Sequence, residues 1–485
     1  MGKKFLHLVT TGGALFTCAT GFSSCSKDST NTKITRDYQI FVHLGEDIEY
    51  SYAYQINEAL DYFCHFQLPI VSDSSMIKDH EIIFDMTRKE CADLLPKLDD
   101  DEYIIKERDS KIIIVSKSHM AKMCAVDHLL TDYCSKDGLI VPKNTEVKGK
   151  CKASDIVTEI TLPDDPDSSN KFHEIRDPFI VKEGNDYYMY GTSYWDGIDW
   201  RAYHTTGSFK NEWENLGKVA EIGETYPDIV KQRWAPEVHK YKDKFYMFTT
   251  YLSQSSRQRG VTILRSDLPT GEFKMISHNA RNVAQFGNDN HHITYDLSTI
   301  DKEGKPAGCT IDGTLYVDPD GQPWLVYVNE WVSQTDEVGR FSAVKLSEDL
   351  TEIDESSNKE LFRADAAPWG EAGIKVTDGC FIHTMPNGRL VMTWSASNGH
   401  GYSVGFATSD NGVLGPWVQH KQQLFAPGMY ASDNPEGGHA MIFEDNDQLF
   451  MCLHGPNAKT EHPIVFPIKE THYNTIAWDL YQKGK

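Results

Sequence analysis

Two patterns of hydrophobic and polar positions divide the chain. Between about residues 35 and 150, short apolar runs alternate with stretches of helical spacing. Asp37–His43 and Glu81–Phe84 read as strands, and Asp47 to Phe66 carries apolar positions near the helical period. Tyr103–Lys106 and Lys111–Val115 form a strand pair turned at Asp109 and Ser110, and Ser118 is placed to cap a helix reaching about Tyr133. From residue 151 the helical period stops. Short aromatic and β-branched strands take over, separated by Gly, Asn, Asp and Pro turns. The polar segment 151–170 between the two patterns reads as a linker that can donate a strand to the second region.

The second region repeats itself at roughly 60 to 75 residues, longer than the common repeat of about 40–50. Each unit opens on a short motif with an acid or histidine, then a turn, then an aromatic strand. The openings are Arg176-Asp177-Pro178-Phe179-Ile180, Trp234-Ala235-Pro236-Glu237-Val238, Ile311-Asp312-Gly313-Thr314-Leu315, Thr377-Asp378-Gly379-Cys380-Phe381 and Gly437-Gly438-His439-Ala440-Met441. Five such copies fit a closed ring of antiparallel blades better than a sandwich. The fold class is therefore mainly β, a five-bladed β-propeller preceded by a small α/β domain. In a ring, the innermost strand of every blade brings its first residues to the central axis, so residues that recur at that position meet in one place.

Composition narrows the partners. The formal charge of −23 disfavours a polyanion such as nucleic acid and suits a neutral substrate such as a sugar polymer. At the N-terminus, Lys3 and Lys4 precede a modestly apolar stretch, then Ser23, Ser24, Cys25 and a polar run. This resembles the lipobox of Bacteroidetes surface lipoproteins and implies lipidation at Cys25, with a plain signal peptide as the alternative. The expected layout is a leader at 1–24, a tether at 25–34, the α/β domain at 35–150, the linker at 151–170 and the propeller at 171–485. No later stretch is apolar enough to span a bilayer, so attachment would be by lipid alone, on an outer-membrane lipoprotein facing the periplasm or the exterior. The remaining cysteines lack metal-site spacing.

Hydrolysis of a glycosidic bond needs two carboxyl groups in different protonation states. The order and phase of Arg-Asp-Pro-Phe-Ile, Trp-Ala-Pro-Glu, Ile-Asp-Gly-Thr-Leu-Tyr-Val-Asp and Thr-Asp-Gly-Cys-Phe resemble glycoside hydrolase family 43 over about residues 171–480. The resemblance implies an inverting hydrolase that needs no cofactor, with carboxyls about 6.5–9.5 Å apart. It places the general base at Asp177 and an acid-orienting aspartate at Asp312. Where the family usually has Glu-Gly-Pro, this chain has Asp378-Gly379-Cys380, so the proton donor is open among Asp378, Glu330 and Glu371, or is absent. A branch of the family resembles the chain in having both Asp-Gly here and a Glu-Trp like Glu330-Trp331. Trp195, Trp234, Trp331 and Trp394 are candidates to stack on a sugar. Glu237 either binds a sugar hydroxyl or pairs with Arg233. An axial His439 implies a metal position, a structural calcium or water in the central channel. The α/β domain resembles the one preceding family 20 hexosaminidases and α-glucuronidases, and reads as a packing or spacer unit, with carbohydrate contact as the alternative. The activity implied is exo-hydrolysis of arabinose- or xylose-containing plant polysaccharide. α-L-Arabinofuranosidase leads, β-xylosidase is second, and a non-catalytic glycan-binding lipoprotein is the reading from another class.

Overall fold

The computed structural model describes residues 30–44, 47–72, 76–84, 87–163, 174–193, 197, 199–221, 223–294, 309–369, 374–397, 399, 401–430, 436–457 and 460–483. The expectations for the leader and Cys25, and for Trp195 and Glu371, fall outside these residues.

In the first region, isoleucine-rich runs make a six-stranded mixed sheet. Its order is Ile70–Val71, Gln39–Phe41, Glu81–Ile83, Lys111–Ser116, Glu102–Arg108, Glu146–Lys150. Side chains alternate between its faces. Ile82, Ile105, Ile112 and Ile114 pack with residues of the helices Asp47–Cys64 and His119–Tyr133. Ile83, Ile104, Ile113 and Val115 pack with Cys91, Leu94 and Leu98. With both faces covered, the strands read as nearly continuous apolar runs. The pair 102–108/111–116 turns through Asp109 and Ser110, both at positive φ (53° and 63°), as a two-residue hairpin turn requires. Ser118 Oγ accepts the Ala121 amide at 3.3 Å and caps the second helix.

The second region is mainly β. Among the described residues it contains five antiparallel sheets in chain order, opening with Ile175–Glu183, Ile229–Tyr241, Thr310–Val317, Asp378–Thr384 and Gly438–Asp445. Each opening strand touches those of the sheets before and after it, and the fifth touches the first. Apolar layers fill the spaces between neighbouring sheets. Tyr190, Trp200 and Met247 lie between the first and second, Phe248 and Leu325 between the second and third, and Val326, Phe341 and Trp394 between the third and fourth. Thr158–Glu159, from the linker, pairs antiparallel with His462–Glu470 of the fifth sheet.

The two regions share one core. Ile56, Leu60, Met120 and Leu129 of the helices belong to the same apolar cluster as Phe406, Phe425, Phe466 and Trp478. Polar contacts frame it. His420 Nδ1 meets Glu58 Oε1 at 2.7 Å, Lys469 Nζ meets Asp127 Oδ1 at 2.6 Å, and His128 stacks on Tyr481 at 3.8 Å between ring centroids.

Candidate active site

The five opening strands share one irregularity. In each, three steps along the first strand match two along the second: between Arg176 and Phe179, Trp234 and Glu237, Ile311 and Thr314, Asp378 and Phe381, and Gly438 and Met441. This is a β-bulge, one extra residue that bends the strand. The second residue of each bulge is left-handed: Asp177 (φ 53°), Ala235 (44°), Asp312 (52°), Gly379 (54°) and His439 (56°). For the four that carry a Cβ this costs about 1–2 kcal/mol each, and such strain collects at functional sites.

The bulge sets a common frame and corrects the phase expected from sequence. Asp378 is not the counterpart of Asp177 and Asp312; Gly379 is. Asp378 corresponds to Arg176, Trp234 and Ile311, and all four line one cavity of about 270 Å³. Glu237 corresponds to Phe179 and Phe381, whose rings pack on each other at 6.0 Å. Glu237 is accordingly buried away from the cavity lining, and its carboxylate meets His239 Nε2 at 3.1 Å. The expected sugar contact or Arg233 pair is thus replaced by a histidine pair. Trp394 is also corrected. It is fully buried between the third and fourth sheets, against Phe341, Phe362 and Trp369. Trp234 and Trp331 do line the cavity.

Asp177, Asp312, Asp378 and His439 all line this cavity. Asp177 Oδ2 accepts the Thr192 hydroxyl at 2.6 Å, and its Oδ1 lies 3.2 Å from His439 Nδ1. Burial alone would raise its pKa. The charge and hydrogen bond of His439 outweigh that and hold the carboxyl well below the usual range. His439 Nδ1 also lies 3.9 Å from Asp312 Oδ2. Burial would lower this histidine, but Asp177 and then Asp312 push it up to about 10. Burial, and then the Asp177 charge against a counteracting His439, raise Asp312 to about 6. Burial and the neighbouring Asp312 raise Asp378 to about 8. Asp378 Oδ2 accepts the Tyr402 hydroxyl at 3.1 Å.

Glu330 also lines the cavity, in the turn after the strand Pro323–Asn329. Arg259 grips both its oxygens, Nε to Oε2 at 2.7 Å and a terminal nitrogen to Oε1 at 2.8 Å. Burial raises Glu330 above the usual carboxylate range, and the Arg259 charge and hydrogen bonds only partly oppose it. A fork of this kind is a charge-assisted bond that favours the ionised carboxylate. The Arg259 guanidinium also lies 5.4 Å from the Trp234 ring centroid.

Sequence reasoning passed over His454, Tyr402, Arg176 and Thr192. The Asp177 amide donates to His454 Nδ1 at 3.2 Å, and burial holds that ring down to about 3, in its neutral form. The repeat held a signal for it. Thr192, Thr250, Ser395 and His454 occupy one register position on the second strands, and each accepts the amide of the left-handed residue in the next sheet of the ring. The other distances are 2.8 Å for Ala235 to Thr192, 3.3 Å for Asp312 to Thr250 and 2.8 Å for His439 to Ser395.

For calcium at the axis, the residues present offer one nitrogen. His439 Nε2 is buried and has no hydrogen-bond partner. Calcium takes about six to eight oxygen ligands, and among the described residues no group of three or more His, Cys, Asp or Glu is arranged to hold a metal. With its pKa pushed up, His439 carries a proton on Nε2 and has no lone pair there for an ion, so the residues present do not fit calcium.

The sequence model described as "Glycosyl hydrolases family 43" matches residues 172–480. An extracellular endo-alpha-(1->5)-L-arabinanase of Thermotoga petrophila is 26% identical over 164 residues, which are 32% of this chain and 33% of that protein. The chain thus spans about a third of this curated relative. Among solved structures, an endo-arabinase from Bacteroides thetaiotaomicron is 30% identical, with a TM-score of 0.51 over 65% of this chain and 99% of that one. A thermostable family-43 glycoside hydrolase shares the fold at 19% identity and a TM-score of 0.51, over 64% of this chain and 94% of the other.

Proposed function

The chain belongs to glycosyl hydrolases family 43, and on that premise we propose that it cleaves α-L-arabinofuranosyl linkages of plant polysaccharide with inversion. In this reading the five sheets are the blades of a single propeller, and the cavity at their inner ends is the active site. The observation that carries it is one cavity lined by two carboxyls in opposite surroundings, Asp177 against His439, which holds its pKa well down, and Asp378 near Asp312, with burial and the Asp312 charge raising its pKa to about 8.

Asp177 takes a proton from a water as that water attacks the anomeric carbon. Asp378 gives its proton to the glycosidic oxygen as the C–O bond breaks on the opposite face. The products are a sugar of inverted configuration and the freed hydroxyl, with Asp177 protonated and Asp378 ionised until solvent restores them. Asp312 has two parts here. Its Oδ2 takes the Gly379 amide at 3.0 Å, which ties it to the residue after the acid, and its charge keeps the acid protonated. Tyr402 occupies Asp378 Oδ2 and leaves Oδ1 to carry the proton. Glu330, held by Arg259, positions the Trp331 wall.

The cavity, at about 270 Å³, lies just below the usual range of ligand sites, about 300–1,000 Å³. Its size favours exo action on terminal residues. The two endo-arabinanase relatives favour the second reading, internal cleavage of the same linkage. Linear α-1,5-arabinan decides between them: arabinose alone from the start means exo, and a ladder of oligosaccharides means endo. Proton NMR of the first product reads the anomer, and retained configuration rejects the mechanism. Turnover of xyloside but not arabinofuranoside transfers the proposal to β-xylosidase. Glycan binding without any turnover transfers it to a binding protein. We also keep the lipid anchor at Cys25 as a proposal; a Cys25→Ala variant found in the soluble fraction would support it, and one still in the membrane fraction would reject it.

A further inference from the structure

The ring has one break in its pattern of amide acceptors. In four sheets the second-strand position carries an acceptor, Thr192, Thr250, Ser395 or His454, for the left-handed residue of the next sheet. In the third sheet that position is Val328, which pairs with Ile311. Val328 is fully buried in the apolar layer between the third and fourth sheets and has no hydrogen-bonding atom in its side chain. The amide it fails to receive is that of Gly379. A buried amide must find a partner, and this one donates to Asp312 Oδ2 at 3.0 Å.

We infer that Val328 is a positioning residue for catalysis: by withholding an acceptor from the Gly379 amide, it recruits the Asp312 carboxylate to that amide and so fixes it beside Asp378. The other side-chain acceptors near these atoms are committed. Thr250 Oγ1 receives the Asp312 amide at 3.3 Å, and Ser395 Oγ receives the His439 amide at 2.8 Å. Asp177, the third carboxylate, is held by Thr192 and His439. Asp312 Oδ2 therefore has the Gly379 amide to itself, with His439 Nδ1 farther off at 3.9 Å. The glycine is needed on the other side of the bond. A Cβ at 379 would stand 2.6 Å from His439 Cγ, so the amide can approach Asp312 only on a bare backbone. The apolar residue is thus the feature that separates this corner of the ring from the other four, and it does so one residue from Asp378.

This inference rests on the reading of Asp378 as the proton donor, so its test has one arm that does not depend on activity. Val328→Thr adds a hydroxyl with little change in shape, at the position where Thr192 and Thr250 already receive amides. A crystal structure of V328T is expected to show the new hydroxyl bonded to the Gly379 amide and Asp312 Oδ2 released from it. If Asp312 keeps the amide, the inference is wrong, whatever the protein hydrolyses. In the kinetic arm, V328T is expected to lose about tenfold in kcat on arabino-oligosaccharide, part of the roughly 100- to 10,000-fold that a positioned acid contributes. KM should hold, and an aryl arabinofuranoside with a good leaving group should lose much less. Val328→Ile, which offers no acceptor, is the control for packing; Asp312 should keep the Gly379 amide in it, and any rate it loses should be lost alike on both substrates. Equal losses on both substrates, or equal losses in V328T and V328I, would mean that Val328 only packs. If V328T moves the amide but no variant of Asp378 affects the natural linkage, the positioning stands and the donor assignment falls.

Discussion

Replacing Asp378 by Asn tests the assignment of the proton donor, and the structure supplies the size of the effect. At pH 7 a carboxyl with the ordinary pKa of 3.8 is protonated in about one molecule in 1,600; raised to about 8, it is protonated in about nine in ten. Burial and the Asp312 charge thus enrich the acid form by roughly 1,400-fold, a gain of about 4 kcal/mol in available acid. D378N is isosteric and removes the proton but not the Tyr402 contact. On an arabinan linkage, whose leaving group is an alkoxide without protonation, kcat/KM is expected to fall by about 1,000-fold. On an aryl arabinofuranoside that departs as a phenolate, the loss should be about tenfold or less. The assay is kcat/KM for both substrates, in wild type, D378N and Glu330→Gln side by side. E330Q is expected to lose similar factors on both substrates, because it breaks the Arg259 fork and disturbs the Trp331 wall rather than the proton. The reverse pattern, leaving-group dependence in E330Q and none in D378N, would refute the argument from the Arg259 fork and make Glu330 the donor.

The acid form of Asp378 is lost as pH rises through about 8, so kcat/KM should fall there; Asp312→Asn removes a charge that raises Asp378 and should move this limb to lower pH. An unmoved limb means that Asp312 does not set the acid. His292, buried, is pulled down to about 4 from 6.5. Its folded pKa lies below the unfolded one, so the unfolded chain binds the proton first and stability is lost as pH falls from about 6.5 to about 4, by about 3 kcal/mol. Urea midpoints across that range check this, and His292→Gln should flatten the slope. Gly379→Ala would place a Cβ 2.6 Å from His439 Cγ at a φ of 54°; activity should be lost with at least about 1–2 kcal/mol of stability, read by thermal melts. A chain started at residue 151 should aggregate, because it uncovers Phe406, Phe425, Phe466 and Trp478; a monomer that melts like the full chain would show the shared core to be dispensable.

How much of this was legible depends on which physical constraint each residue obeys. The hairpin at Asp109-Ser110 and the cap at Ser118 are local, and local chemistry reads directly from residue type. The opening strands were legible because each copy repeats an acid or histidine, a turn and an aromatic strand. Their phase was not. Asp177-Pro178, Asp312-Gly313 and Asp378-Gly379 look alike as pairs, yet the fourth sheet's aspartate is displaced by one residue. A bulge is defined by hydrogen bonds to a partner strand, and the bonding frame is absent from the pair itself. Trp394 failed for a related reason. A strand has two faces, and its own alternation does not say which one meets a neighbouring sheet. Glu330 could not be separated from Asp378 because its partner Arg259 is 71 residues away. The one-residue displacement also has a chemical consequence. At the left-handed position Asp177 meets Thr192 and His439, and Asp312 receives the Gly379 amide. One residue earlier in its strand, Asp378 lines the same cavity with Arg176 and Trp234 and accepts the Tyr402 hydroxyl. Beside His439, Asp177 is held well below the usual carboxylate range; near Asp312, Asp378 is raised to about 8. In the proposed mechanism the bulge separates base from acid by register, with Asp177 at the left-handed position beside His439 and Asp378 one residue earlier in its strand, near Asp312 and bonded to Tyr402.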